Sequence, residues 1–406
     1  MSELNNPDNT SNSVSGGKKT GILMFFLLFI ITVCIAAYTY MKSQDIKPGD
    51  FDLKGLLQGK GLFNTAHVQQ TSKPKEIEYD RKEQPVFAVC SGTVIMCGKN
   101  YVRGLDSDGK QKWSENILVS NPVVKSAGSF MVIADIRGRS FFTFKDNTLK
   151  WNKELESSLV NIEVSESGYI SAVRESEEGK AVLTVYDQYG NDIFTSFIGE
   201  YEVLSAKVSP DGDTLVLNSI DTRDDSSNTV IEFRDMRGRV INTRELDGNT
   251  LFPLMYFTDD ETVLSISESS SVCTGKSNKN GIKDLNTSGR RIYSAGVQPG
   301  RYAVIAFEDE SKSAFTFGGA TELKIFDLDG RQPVSVSIDG DVRGMEVSRE
   351  CIAVHTGRDV YFIDAGGKLL GKYSAKTDIR NIFFVDKHNA LVVTRSNIAV
   401  VPIKNI

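Results

Sequence analysis

Asp106-Ser107-Asp108-Gly109-Lys110-Gln111-Lys112-Trp113 joins two short β-prone runs through a four-residue turn, and the same turn recurs along the chain. A strand running into Asp or Asn, two residues, then Gly is found again at Asp187 to Gly190, Asp235 to Gly238, Asn286 to Gly289, Asp327 to Gly330 and Asp364 to Gly367. A glycine-free variant stands at Asp146 and Asn147. The chemistry is local: the first side chain accepts hydrogen bonds from the turn's own amides, and Gly takes the positive φ that a tight hairpin needs. Successive turns lie roughly 40 to 50 residues apart, the period of a repeat architecture. Their residues are therefore read as structural and not catalytic.

Outward from these hairpins, the chain beyond residue 75 is built of short apolar runs rich in β-branched and aromatic residues, each bounded by turn signals, which is the pattern of an all-β domain. The unit is clearest at Val203 to Val208, Thr214 to Leu217, Val230 to Phe233 and Val240 to Thr243, four antiparallel strands that make one propeller blade. Seven hairpins mark seven blades. After the last come only three strands, Ile382 to Val385, Leu391 to Thr394 and Ile398 to Pro402, while Glu76 to Lys82 stands alone before the first blade. If that segment supplies the missing outer strand, the ring closes and leaves no sheet edge to template aggregation. The expectation is an eight-bladed β-propeller over 76–406, with a seven-bladed ring as the alternative because strands between Cys273 and Gly300 are hard to place.

Ahead of it, residues 1–20 read as a disordered polar tail. Residues 21–41 read as a transmembrane α-helix, because Thr20 to Met41 carries no charge and spans about 33 Å as a helix, enough for a hydrocarbon core of about 30 Å. Residues 42–75, rich in Gly and Lys, read as a flexible tether. The flanking lysines are nearly balanced, so the orientation rests on the signal-anchor layout: tail inside the cell membrane, propeller extracytoplasmic.

The first hairpin resembles the repeat of quinoprotein-type (PQQ-like) propellers, Asp-x-x-Gly-Lys-x-x-Trp, whose Trp packs between neighbouring blades. That resemblance implies blade-packing roles for Trp113 and for Trp151, which occupies the same place in the second blade. The blade pattern is also similar to WD40-type propellers, without the WD dipeptide. Anchor plus propeller resembles uncharacterised membrane-anchored propellers of Gram-positive bacteria, and the resemblance implies a scaffold or binding role, as in the propeller component of outer-membrane assembly machinery.

A search for chemistry yields no catalytic constellation. A net charge of −6 without a basic stripe argues against nucleic acid. A quinoprotein dehydrogenase needs vicinal cysteines, and none of the five is adjacent to another. Asp106 and Asp327 open sequences like calcium loops, but position 12 is Ile117 or Ile338 and not Glu. Gly275-Lys276-Ser277 lacks the earlier glycine of a phosphate loop, and His67, His355 and His388 show no ligand spacing. No enzyme activity, cofactor or metal is expected. Cys90 and Cys97 are read as strand thiols, with a bridge left open.

Binding residues concentrate on long loops of a rigid ring. Three second-to-third-strand connections read as long: Ile220 to Asn228, Ser267 to Asn280 and Glu308 to Gly319. They carry the candidate partner-binding residues Asp221, Asp224, Asp225, Glu308, Asp309 and Glu310. The expected function is a scaffold binding another protein or a cell-wall polymer; the alternative is a small-ligand receptor using the central channel.

Overall fold

The structure, a computed structural model, describes residues 74–403 apart from 224–226, 247–249, 278–282, 286, 288 and 310–318, together with Leu28 and Thr32. The chain divides into two compact units, Met1–Val68 and Gln69–Ile406. In the first, Leu28 and Thr32 are helical, and the Thr32 hydroxyl donates to the Leu28 carbonyl at 2.8 Å. The rest of the expected tail, membrane helix and tether lies outside the described residues; among those described, no helix is long and apolar enough to cross a membrane.

The second unit is an eight-bladed β-propeller. Among the described residues, eight four-stranded antiparallel sheets follow one another. Blades 1 to 7 span 86–115, 122–154, 159–198, 202–246, 254–284, 292–339 and 344–374, and blade 8 spans 379–402. Its fourth, outer strand is Lys75–Glu78, which pairs antiparallel with Asn397–Pro402, Ile77 opposite Ile398. The closing strand is therefore where the strand count requires it, shifted slightly toward the N-terminus. The first strands of successive blades touch around the ring, and blade 8 touches blade 1. Second strands are almost wholly buried, as in Phe130–Asp135 and Tyr302–Glu308, because sheets pack on both of their faces.

The hairpins form as their chemistry dictates. One Asp106 carboxylate oxygen accepts from the amides of Asp108 and Lys110 at 2.8 and 2.9 Å, and Asp187, Asp235 and Asp364 repeat the pair of contacts. Asp327 accepts from Asp329 at 2.8 Å. Gly109, Gly190, Gly238, Gly330 and Gly367 have φ between 79° and 89°. Blade 2 makes its turn with Asp146 and Asn147 at φ 51° and 60°, residues whose short polar side chains tolerate the left-handed region.

Two readings are corrected. Gly289 has a positive φ of 69°, but it lies between blades 5 and 6 and belongs to no blade hairpin, because the fourth strand of blade 5, Lys283–Asp284, precedes it and the first strand of blade 6, Ile292–Gln298, follows. A tight turn needs the same residues wherever it falls. Second, Ser267 to Asn280 is not one long loop. Ser271–Gly275 is the third strand of blade 5, hidden in the sequence because it buries Ser271 and Thr274 in place of apolar residues.

At four seams the outer strand of one blade also covers the next blade's turn. A Cβ on Gly109 would stand 2.5 Å from Ile77, on Gly190 3.0 Å from the Trp151 ring, on Gly238 2.8 Å from Phe194, and on Gly367 2.6 Å from Val334. Trp151 packs edge-on to Phe141 at 5.5 Å, lies 6.1 Å from Tyr186 of blade 3, and donates its indole N–H to the Gln188 carbonyl at 3.0 Å. Trp113 packs 5.8 Å from Phe144 of blade 2.

The register also decides the cysteines. Cys90 is opposite Thr93 and Cys97 opposite Val86, so the two sit at opposite ends of one hairpin, roughly 13 Å apart and out of disulfide reach. No disulfide joins any of the four described cysteines, and burial pushes the Cys97 and Cys351 thiols up to about 12. Cys90, Cys97 and Cys351 are expected to resist alkylation until the propeller is unfolded, read by peptide mass spectrometry. A Cys90–Cys97 linked peptide would contradict this register.

Candidate functional site

The ring has two ends and a central channel. Short first-to-second and third-to-fourth turns crowd one end; the second-to-third connections share the other. Asp221 ends the second strand of blade 4 and Glu308 that of blade 6, so both stand at that second end. Asp309 follows, its amide donating to the Ala320 carbonyl at 3.1 Å. Asp224, Asp225 and Glu310 lie outside the described residues. Asp221 is engaged locally: both its oxygens meet the Arg223 guanidinium, at 2.6 Å for the closest contact, and Arg223 reaches Glu200 at 3.5 Å. Hydrogen bonds from Arg223 hold the Asp221 carboxyl down at about 2. Arg223 thus neutralises Asp221, one of the three aspartates in this stretch of sequence.

The channel holds a cluster that the sequence reading passed over. On the first strands of blades 2, 3, 4, 5 and 7 stand Lys125, Glu163, Lys207, Tyr256 and Glu346. Lys125 and Glu163 form an ion pair at 2.9 Å. Lys207 donates to the Met255 carbonyl at 2.8 Å and lies 5.4 Å from the centre of the Tyr256 ring, whose hydroxyl donates to the Ala295 carbonyl at 3.1 Å. Enclosure pushes the Lys207 ammonium pKa down, partly offset by Glu163. A pocket of about 180 Å³, with Glu163, Lys207, Phe257 and Pro299 in its wall, opens from this cluster toward the short-turn end.

A signal for it exists in the sequence. Glu163-Val164-Ser165, Lys207-Val208-Ser209 and Glu346-Val347-Ser348 repeat a charge, a valine and a serine. The serine hydroxyls accept backbone amides of the following turn, from Tyr169, Thr214 and Cys351. The triplet fixes the turn and sets the charge at the channel.

Glu346 and His355 give this region a pH dependence. Among the described residues no hydrogen bond or ion pair reaches the Glu346 carboxylate, and burial raises its pKa from 4.5 to about 7. The unfolded chain ionises this group from pH 4.5 upward while the folded chain keeps it protonated, so stability falls as pH rises to 7 and then levels. His355 is opposite in sign. Burial, with the Arg343 charge, lowers it from 6.5 to about 4, so stability present above pH 6.5 is lost as pH falls toward 4. Each effect is at most about 3 kcal/mol. Between pH 4.5 and 6.5 the two slopes oppose each other. Glu346→Gln is expected to stabilise the protein at pH 8, leave it unchanged near pH 4, and steepen the acid loss that His355 causes. Denaturant midpoints measured from pH 4 to 8 check this, and parallel profiles for the two proteins would contradict it.

Among the described residues no group of His, Cys, Asp and Glu could hold a metal ion.

With the geometry in place, comparison with solved structures shows the fold. The chain is similar to the crystal structure of BamB from Moraxella catarrhalis, at 14% identity and a TM-score of 0.51, covering 82% of this chain and 99% of that one. It is similar to the C-terminal WD40 domain of Sif2 at 12% identity and a TM-score of 0.58, covering 84% and 100%. It is also similar to Sqt1 from Chaetomium thermophilum at 10% identity and a TM-score of 0.55, covering 81% and 99%. No curated protein matches the chain. Residues 63–403, the whole propeller and a short stretch before it, match one family model over most of the chain: the chain belongs to DUF5711, described as a family of unknown function.

Proposed function

We propose that the protein is a membrane-tethered scaffold whose propeller lies outside the cytoplasm and holds another protein or a cell-envelope polymer, without catalysis. The observation that carries this reading is the closed ring, in which Lys75–Glu78 completes blade 8 and so locks the segment following the tether into the last sheet. A rigid ring fixed at one point, with long connections at one end, is suited to presenting a binding surface. The uncharged stretch Thr20 to Met41 supports the anchor.

The test uses the full chain in cells. Carbonate extraction should leave it in the membrane fraction, protease added outside should cut the propeller, and in-cell cross-linking should recover a reproducible partner. Release by carbonate would remove the anchor; protection from external protease would reverse the orientation; cross-linking without a recurrent product would count against the scaffold.

The long connections make a separate prediction. Replacing 222–227 and 309–319 by two-residue turns should shift the melting temperature little, because loop length changes closure free energy by only about 0.6 kcal/mol per doubling. Cross-linking to the partner should be lost. Undiminished cross-linking would move the working surface elsewhere on the ring.

A second reading, a small-ligand receptor using the central channel, is favoured by the enclosed Lys207 and Glu346. A ligand that binds only the folded state raises the melting temperature. A screen of small organic acids and amines against the wild type and Glu346→Gln, in which no compound shifts either protein, would dismiss it.

A further inference from the structure

The seams between blades share one register position. Trp113 is opposite Gly104, Phe194 opposite Val185, Asn242 opposite Phe233 and Val334 opposite Ile325, each two residues before the Asp of its own hairpin. With Trp151 in blade 2, aromatic rings stand at this place in the first three blades. Blades 4 and 6 carry Asn242 and Val334, and at both a cavity opens, of about 320 Å³ beside Asn242 and about 420 Å³ beside Val334. The larger has Tyr302, Ile325 and Val334 in its wall, with Ala365 of the next blade's hairpin and the guanidinium-bearing residues Arg301 and Arg331 at its edge.

The protein itself shows what such a seam accepts. At the seam of blades 2 and 3, Trp151 donates its indole N–H to Gln188, the residue after Asp187. Ala365 follows Asp364 in the same way, so its carbonyl stands where the Gln188 carbonyl stands. Val334 and Val336 cover Gly367 but are too small to fill the space that an indole occupies at the earlier seam. Arg331 pairs with Asp327 at 3.2 Å and Arg301 donates to the Arg349 carbonyl at 3.1 Å, which places two cations at the exposed edge of the cavity. Guanidinium groups there suit the face of an aromatic ring.

We propose that the cavity between blades 6 and 7 is a docking pocket for a tryptophan side chain of a partner protein, its ring in the place of the missing seam aromatic and its N–H on the Ala365 carbonyl. Buried Trp anchors dominate many interfaces. The proposal rests on the scaffold reading only in assigning the ring to a protein partner. It places a binding element at the short-turn end, separate from the long connections.

The full chain is tested with N-acetyl-L-tryptophanamide by saturation-transfer NMR, with N-acetyl-L-leucinamide as control. Saturation should reach the indole protons and not the leucine methyls. Val334→Trp should reduce the transfer at least fivefold and raise the melting temperature by about 2 °C or more, by filling the seam from within. Val334→Phe, which copies Phe194 of blade 3, is the second variant if the larger ring is not accommodated. No transfer to the wild type, or undiminished transfer to a folded Val334 variant, overturns the proposal. Failure of both variants to fold would show that the seam cannot accept a ring, and also overturns it. Binding of the amide without a partner in cells would instead retain the pocket and reject the scaffold.

Discussion

Deleting 75–79 from the full chain is expected to destabilise the entire propeller by about 3 kcal/mol or more, although the segment reads like the end of a linker. Ile77 packs over Gly109 of blade 1 and Tyr79 lies 5.0 Å from the Phe87 ring, so two half-buried side chains are lost, each worth about 1 to 1.5 kcal/mol. The Tyr79 hydroxyl donates to the Thr394 carbonyl at 2.7 Å, and Asn397 donates to Glu76 at 3.0 Å. Losing these adds about 1 kcal/mol per buried bond, with less for the exposed contact. The ladder bonds to Asn397–Pro402 also go, leaving that strand as an open edge. Denaturant unfolding checks this: a lower midpoint with one cooperative transition is expected, and an unchanged midpoint would mean that the ring does not depend on its closing strand. Ile77→Ala should show a smaller loss, about 1 kcal/mol.

That closure was legible because it is an arithmetic property of the repeat: blade 8 has three strands after Ile379, and one earlier segment is left over. Blade 5 was less legible. Its third strand buries Ser271 and Thr274, and its fourth is Lys283–Asp284, so hydrophobic alternation carries little information there. Asn286 to Gly289 misled for a related reason, since Asn and Gly report a tight turn and say nothing about which elements it joins. The channel cluster was hidden because Glu163, Lys207 and Glu346 alternate with apolar residues as surface charges on a one-sided sheet do. In a propeller, the innermost strand carries such charges toward an enclosed channel. Only the repeated charge-Val-Ser triplet distinguishes the two cases. The acidic loop residues were visible, yet the neutralising partner of Asp221 depended on the fold of the loop that brings Arg223 back against it.

The two tryptophans were both read as blade packing, and their surroundings predict different responses to substitution. Trp151→Ala should cost about 3 kcal/mol, the lower part of the range for removing a large aromatic, because Trp151 is only partly buried at its seam. Trp151→Phe retains the contacts with Phe141 and Tyr186 but removes the N–H donated to Gln188, which leaves a loss of about 1 kcal/mol. At Trp113 the indole nitrogen is buried and, among the described residues, has no hydrogen-bond partner, while the ring lies against Gly104 and near Phe144. Trp113→Phe therefore removes an unsatisfied donor along with some contact area, and the two effects offset, giving a change within about 0.5 kcal/mol of zero or a slight gain. Trp113→Ala removes the same donor but the whole ring with it, so it should still destabilise, by somewhat less than Trp151→Ala, which also loses a hydrogen bond. Denaturant midpoints for the four variants decide the matter. Equal losses for the two Phe variants would show that the Trp151 hydrogen bond contributes nothing to the seam, and would remove the geometric basis for placing a partner's indole on Ala365.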